Sequence, residues 1–350
     1  MSDAVRAALA AVVEGRTLDA ETARAAMGSV MDGEATPAQL AALLVALRMR
    51  GETVEELAGF AAAMRERVLR VEAPEGTIDV VGTGGDGSGT FNISTTAALV
   101  VAAAGVPVAK HGNRAVTSRS GAADVLEALG VRIDHTAESA AAELRELGFA
   151  FLFAPGFHPA MRHAGPTRRE IGVRTAFNLL GPLTNPAGAR RALLGVGDAA
   201  VAPRIAEVAR RIGTDRTLVV HGAGVDELPL DGSGVILDVT PEGIAESHIE
   251  PGRLGLRAAA TTELSGGTAD GNAALTISIL DGGGGARRDV VLLNAGAAFL
   301  AAGRADSIPE GIALAAATID AGVARELLER LRTSKVAADA ARAEAEGAAS

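Results

Sequence analysis

Asp79-Val-Val-Gly-Thr-Gly-Gly-Asp-Gly-Ser-Gly-Thr-Phe-Asn-Ile-Ser-Thr-Thr96 is the stretch from which the fold reads outward. A short apolar run of strand type, 78–81, stops at Gly82. Gly82, Gly84, Gly85 and Gly87 then let the backbone turn its N–H groups inward, because glycine enters φ > 0 at little steric cost and has no side chain to hold a ligand away. From Ser94 the composition becomes helical, and Asn92, Ser94, Thr95 and Thr96 supply capping groups at the positive end of that helix. Strand, glycine loop and hydroxyl-rich helix start make a cradle suited to phosphate oxygens. The competing reading is a plain flexible turn. Glycine makes up 43 of the 350 residues, so glycine clusters arise easily, as at Gly282 to Gly285. The loop is neither the dinucleotide G-x-G-x-x-G pattern nor the phosphate loop that ends in Gly-Lys-Ser/Thr, and spacing alone leaves both readings open.

On the N-terminal side the chain reads as helices only. Thr36-Pro37 is an N-cap with proline at the first helical position, followed by an apolar face through Leu40, Leu43, Leu44 and Leu47 and a stop at Gly51. Thr53-Val-Glu-Glu56 is a capping box leading into Leu57, Phe60, Ala61 and Met64. These alanine-rich faces allow close packing, within a helical bundle or against a second copy of it. Pro74-Glu-Gly76 marks the boundary.

On the C-terminal side strands alternate with helices. Strand-like runs fall at 78–81, 106–109, 149–153, 192–196 and 217–220, with helical stretches at 121–129, 136–147 and 199–212 between them. This alternation predicts an α/β architecture: a central, mostly parallel sheet flanked by helices, beside the small all-helical domain. Residues 235–239 and 244–249 read as an added hairpin, helices return at 288–302 and 308–333, and the alanine-rich end from about 336 is expected to fray.

Composition narrows the function. The formal net charge is -10 and phenylalanine is the only aromatic among Phe, Trp and Tyr, which argues against a nucleic-acid partner. There is no cysteine, so thiolate chemistry and disulfides are excluded. The longest apolar run, 97–109, holds Gly105 and Pro107 and is too short to span a bilayer, so a soluble cytoplasmic protein with no membrane partner is expected. Of 33 basic residues only Lys110 and Lys335 are lysine, and a lysine kept against such a bias points to a need for a compact ammonium.

Ligands of an open parallel sheet bind at the carboxyl ends of its strands. Besides the glycine loop, Lys110-His-Gly-Asn-Arg-Ala-Val-Thr-Ser118 follows a strand and sets an ammonium, an amide, a guanidinium and two hydroxyls in nine residues. His221-Gly-Ala-Gly-Val-Asp-Glu227 follows another, and its paired carboxylates suit Mg²⁺ if phosphate oxygens lie opposite; otherwise they are solvated surface charges. The run from Ala154 to Pro186, with short helices and Gly-Pro and Asn-Pro stops, reads as a crossing back to another domain. Within it Arg168 and Arg169 are ordinary surface charges, or one of them is a fork for a substrate carboxylate.

Taken together, Gly-Thr-Gly-Gly-Asp at 82–86, Asn-Ile-Ser-Thr at 92–95, Lys-His-Gly-Asn-Arg at 110–114, Arg-Thr-Ala-Phe-Asn-Leu-Leu-Gly-Pro-Leu-Thr-Asn-Pro at 174–186 and Asp-Glu at 226–227 resemble the anthranilate phosphoribosyltransferase family in order and spacing. The resemblance runs from about residue 5 to 335. It implies a helical domain of residues 1–73 with the returning segment 167–188, and an α/β domain of 74–166 and 189–350 that binds 5-phosphoribosyl 1-pyrophosphate. It further implies that Gly82, Gly85, Asp86, Thr90, Asn92, Ile93, Ser94 and Thr95 hold this substrate, with Lys110, His111, Gly112, Asn113, Arg114, Ala115, Val116, Thr117 and Ser118 around its phosphates and ribose. Ser94, Asp226 and Glu227 are the implied Mg²⁺ ligands, and Asn113 and Arg168, with the backbone of Gly82, the implied receivers of anthranilate. Lys110, Asn113 and Arg168 thereby become the catalytic candidates. Ala122 stands where the family often has serine, so only its backbone can serve there. A homodimer through the helical domain is also implied. Two neighbours of this reading fit less well. A pyrimidine nucleoside phosphorylase would carry a Lys-Ser-Thr-Gly-Gly-type loop, where this chain has Val-Gly-Thr before Gly84, and a non-catalytic nucleic-acid-binding relative would be basic and lack the Asp-Glu pair.

Overall fold

The computed structural model of the chain describes residues 2–115, 119–222 and 224–349. It opens with α1 (Asp3–Val13), α2 (Ala20–Met31), α3 (Pro37–Arg50) and α4 (Val54–Glu66). The capping box expected at Thr53 forms, and the N-cap expected at Thr36 is itself a capping box closed by Gln39. Thr36 Oγ1 accepts from Gln39 N at 3.2 Å while Gln39 Oε1 accepts from Thr36 N at 3.1 Å. Thr53 Oγ1 and Glu56 N pair at 3.2 Å, and Glu56 Oε2 accepts from Thr53 N at 2.9 Å. Each such cap contributes about 1 kcal/mol. Leu40, Leu43, Leu44 and Leu47 are buried, and α3 ends at Gly51, whose φ of +90° suits glycine. The alanine faces pack as closely as expected: a Cβ on Gly59 of α4 would overlap Ala20 and Ala23 of α2.

Then β1 (Ile78–Gly82), α5 (Ile93–Ala103), β2 (Val108–Gly112), α6 (Ala122–Ala128), α7 (Ala137–Leu147) and β3 (Phe149–Phe153) follow. The chain crosses back toward the bundle through α8 (Ala154–Phe157), α9 (Gly165–Ile171) and α10 (Ala176–Leu180). It returns as β4 (Arg191–Gly195), α11 (Ala202–Arg211), β5 (Arg216–His221) and the hairpin β6 (Gly234–Thr240) and β7 (Gly243–Ile249). The helices α12 (Ala269–Leu280), α13 (Ala286–Ala302), α14 (Ile308–Asp320) and α15 (Val323–Ala349) complete it.

Among the described residues the strands form one sheet in the order β3-β2-β1-β4-β5-β6-β7. The first five in that order run parallel and the hairpin is antiparallel. The chain lays β1, then β2 and β3 on one side of it, then β4 and β5 on the other. The connectivity therefore reverses at β1, and a crevice opens at the carboxyl end of such a switch point. Alternation along the strands divides the core, with Leu193, Leu218 and Val220 facing α5 and α13 and Leu194, Val196 and Val219 sharing a core with the helical bundle, Phe177 and Leu180.

Three local expectations are corrected. The strand expected at 106–109 starts at Val108, because Pro107 has no N–H for the ladder, and it runs through Lys110 and His111 to Gly112. The helix expected over 308–333 breaks between Asp320 and Val323, at Gly322 with φ +76°. The end from 336, expected to fray, stays in α15 as far as Ala349. No described helix is long and apolar enough to cross a membrane.

Candidate active site

The carboxyl ends of β1, β2 and β5 bring the three chemistry-bearing segments together. Lys110 is a strand residue whose side chain is buried between β1 and α5. Its Nζ donates to the Val80 carbonyl at 2.6 Å and reaches Ser94 Oγ at 3.4 Å. Burial lowers its pKa, while the charges of Asp79, Glu227 and Asp226 work the other way.

The first turn of α5 departs from expectation in its cap. Asn92 occupies the N-cap position without a side-chain cap bond. The free amide of Ser94 is met from across the cleft by Glu227 Oε1 at 2.9 Å. The Asn92 side chain reaches sideways instead, donating to Ser120 O at 3.4 Å and accepting from the buried Asn272 at 2.9 Å. Ile93 is buried as the first helical residue, and Thr95 Oγ1 is buried with no partner among the described residues.

The glycine loop is tied to the same carboxylates. Asp226 Oδ2 accepts from Gly84 N at 2.6 Å, and Asp226 N donates to Asp86 Oδ2 at 3.2 Å. Gly82 and Gly195 are glycine for lack of room, since a Cβ on either would collide with Asp226. Gly84, Gly85, Gly87 and Gly89 have φ between +62° and +75°, which L side chains rarely adopt. Asp86 Oδ1 accepts from Ser88, and Thr90 bridges to Ser265, closing the loop. Burial, then the Asp86 charge, pushes Asp226 well above the usual carboxylate range; burial, then Asp226, does the same to Glu227. Ser94, Asp226 and Glu227 thus gather hard oxygen donors in a desolvated place with excess negative charge, which suits a small divalent cation. Among the described residues no group of three or more His, Cys, Asp or Glu is assembled for a metal, so such an ion would draw remaining ligands from substrate and water.

The segment after β2 turns along α6. Asp124 accepts from Ala115 N at 3.0 Å and Gly121 N at 2.9 Å, and Arg114 pairs with Asp124 and Glu127 while lying 5.8 Å from the Phe153 ring. Those two carboxylates raise the Arg114 pKa further. Asn113 is exposed, with Oδ1 accepting from Arg114 N at 2.8 Å. Ala122 sits beside Gly112. Val116, Thr117 and Ser118 lie outside the described residues.

Arg168 is on α9, half-buried, its guanidinium 4.8 Å from the Phe177 ring. It has no ion pair or side-chain hydrogen bond among the described residues, and burial lowers its pKa. Among the described residues it makes no hydrogen bond or ion pair to the phosphate loop. His111, expected around the phosphates, turns instead toward the returning segment. Its Nδ1 lies 3.1 Å from Gly181 O and its ring 5.0 Å from that of His158, and burial drives the pKa values down to about 3 and about 4 respectively. Both rings are therefore neutral at pH 7, each with a buried, unpartnered Nε2.

Four residues escaped the sequence reading. Asp79, inside the apolar strand run, accepts from Asn185 Nδ2 at 2.7 Å and His111 N at 3.2 Å, and Asn185 also donates to Ala109 O at 2.8 Å. A carboxylate in an otherwise apolar strand was the available signal. Asn294 on α13 grips both backbone groups of Leu228, accepting at 2.9 Å and donating at 3.0 Å. Arg174 donates to Gly84 O at 2.6 Å. Asn294 carries no local signal, and Arg174, though it opens the motif at 174–186, gives no local sign of its role, because each acts on a segment distant in sequence.

Comparison with known proteins agrees with this geometry. Residues 74–325 match the model of the glycosyl transferase family a/b domain, and 6–68 that of its helical bundle domain. The anthranilate phosphoribosyltransferase of Pelotomaculum thermopropionicum is 50% identical over 331 residues, 93% of this chain and 96% of that protein. The crystal structure of the Thermus thermophilus anthranilate phosphoribosyltransferase is 48% identical with a TM-score of 0.89, covering 94% of this chain and 99% of that one. The Saccharomyces cerevisiae enzyme in complex with PRPP and Mg is 26% identical with a TM-score of 0.87, covering 96% and 99%. With both domain models in register and half of its residues shared along nearly its whole length, the chain belongs to the anthranilate phosphoribosyltransferase family.

Proposed function

We propose that the crevice at the end of β1 transfers the phosphoribosyl group of 5-phosphoribosyl 1-pyrophosphate to the amine of anthranilate, giving N-(5-phosphoribosyl)anthranilate and pyrophosphate, a step of tryptophan biosynthesis. One observation carries the reading: a buried lysine, a buried and a half-buried carboxylate and a left-handed glycine loop converge on one helix start. A phosphorylated, metal-chelating substrate answers all of these groups at once.

Displacing pyrophosphate passes through a cation-like sugar, so the requirement is to neutralise the leaving group and hold the amine behind the reacting carbon. Gly82, Gly85, Asp86, Thr90, Asn92, Ser94 and Thr95 would bind phosphate and ribose, with Lys110 supplying fixed positive charge. Ser94, Asp226 and Glu227 would hold Mg²⁺, which when bound supplies charge to the pyrophosphate oxygens. Arg168, a guanidinium without a carboxylate partner among the described residues, would take the anthranilate carboxylate, with Asn113 and the Gly82 backbone orienting the amine. A weakly basic aniline nitrogen sheds its proton readily once bonded to carbon, so a dedicated base is unnecessary.

The division into 1–73 with 167–188 and 74–166 with 189–350, and a homodimer through the helical domain, belong to the same reading. The cytoplasm is its proposed setting, on composition alone.

Anthranilate is fluorescent, and its disappearance on mixing with protein, phosphoribosyl pyrophosphate and Mg²⁺ is the direct assay. Rapid loss that ceases without the metal is expected. Well-folded protein that leaves anthranilate intact would require another acceptor.

A further inference from the structure

Arg174 stands on the returning segment, after Gly172 with its φ of +68° and before the buried Thr175 that opens α10. Its guanidinium crosses to the glycine loop. Nη1 donates to the Gly84 carbonyl at 2.6 Å, and Nη2 lies 3.5 Å from that of Thr83. A Cβ on Gly85 would occupy the place of Nη1. Arg174 has no carboxylate partner among the described residues, whereas Arg67, Arg114 and Arg216 are ion-paired.

In a trans peptide the C=O and the following N–H point in opposite directions. Gripping the carbonyls of Thr83 and Gly84 therefore turns the N–H groups of Gly84 and Gly85 the other way. At Gly84 this is seen, because its N–H reaches Asp226 on the floor of the crevice. The Gly85 N–H has no partner among the described residues. At φ +62° and +66° these two glycines have little intrinsic preference between peptide orientations, so an outside anchor decides.

We propose that Arg174 is a positioning residue for the phosphoribosyl pyrophosphate site: by holding the carbonyls of the glycine loop from the returning segment, it turns the Gly84 N–H onto Asp226 and the Gly85 N–H toward the pyrophosphate. This rests on the reading of the site given above. The anion cradle then depends on where the returning segment sits, although Arg174 need not touch the ligand.

The test compares wild type, Arg174→Ala and Arg174→Lys as full-length proteins. Arg174→Ala should raise the KM for phosphoribosyl pyrophosphate about 10- to 100-fold, the size of a lost hydrogen bond to a charged group. The KM for anthranilate and the melting temperature should hold. Arg174→Lys should fall between, since an ammonium can donate to one carbonyl but does not bridge two. An unchanged KM for phosphoribosyl pyrophosphate, or an equal rise in both KM values, overturns the assignment. Should the alanine variant fail to fold, Arg174→Gln decides by the same split. Calorimetric titration with phosphoribosyl pyrophosphate and Mg²⁺ reads the contact without the acceptor. Wild type that binds this ligand but consumes no anthranilate sinks the acceptor assignment, while Arg174 is judged by the affinity ratio.

Discussion

At the residue scale, Lys110 and Asp79 are neighbouring buried charges with opposite demands. Lys110 has no ion pair among the described residues; the Val80 carbonyl and Ser94 hydroxyl hold its ammonium beside the Asp226 and Glu227 carboxylates. Lys110→Met keeps the apolar stem and removes the charge. It should lower kcat/KM for phosphoribosyl pyrophosphate about 100-fold or more, in the range of a lost preorganised donor, as read from initial rates at saturating anthranilate. Asp79 is pushed up to about 6 by burial, against Asn185, Lys110 and the His111 amide, which favour its charged form. A carboxyl raised on folding from its ordinary value of 3.8 binds more protons folded than unfolded between about pH 4 and 6, so its contribution to stability declines across that window and is level above it. The drop is about 3 kcal/mol from the usual conversion of a pKa difference. Asp79→Asn cannot titrate and presents an N–H₂ to one of two donors, costing about 1–3 kcal/mol at low pH. Its deficit in urea midpoint relative to wild type should be largest near pH 4 and shrink by pH 7; a constant deficit would show that Asp79 does not titrate there. Lys110, Asp226 and Glu227 were legible in sequence because residue type was the signal: a lone lysine in an arginine chain, and adjacent carboxylates after a strand. Asp79 stood out only as a carboxylate in an apolar strand, and its role was not legible, since its partner Asn185 lies 106 positions away.

At the element scale, the loops that make the site are held by helices contributing no chemistry. Asn294, fully buried on α13, supplies an amide that completes both hydrogen bonds of Leu228, the residue after Glu227. Asn294→Leu leaves a buried N–H and C=O unpaired. A loss of about 2–6 kcal/mol follows at about 1–3 kcal/mol per group, visible as a lower urea midpoint, with Mg²⁺-dependent activity falling with it. Activity that survives intact would mean that the carboxylates are positioned without this clamp. The alternation of strands and helices was legible because each strand is an apolar run and each helix carries its own caps, both local properties. The end of β2 was misread because burial of Lys110 and His111 is offset by tertiary partners, Val80 and Gly181, that no local window contains. Asn92 misled for the same reason: its side chain has better partners in Asn272 and Ser120 than the helix it precedes.

At the scale of the whole molecule, α3 is apolar on two sides. Leu40, Leu43, Leu44 and Leu47 fill the bundle core, yet Met49 is 83% and Val45 37% exposed one turn apart on the outer side, and Val13 at the end of the adjacent α1 is 70% exposed. Single exposed apolar residues are ordinary, but three on two packed helices offer an apolar patch for a second subunit to cover if they lie together. The patch lies on the layer that shares its core with Phe177 and Leu180 of the returning segment, so pairing through it would brace the side of the cleft that carries Arg168 and Arg174. Val45→Glu combined with Met49→Glu puts two like charges into such a contact and, by the two-fold symmetry, four across the interface. Sedimentation velocity at micromolar concentration should show wild type as a dimer and the double variant as a monomer, with the helical circular dichroism signal unchanged. Wild type that sediments as a monomer removes the dimer, and a double variant that stays dimeric moves the interface off this face.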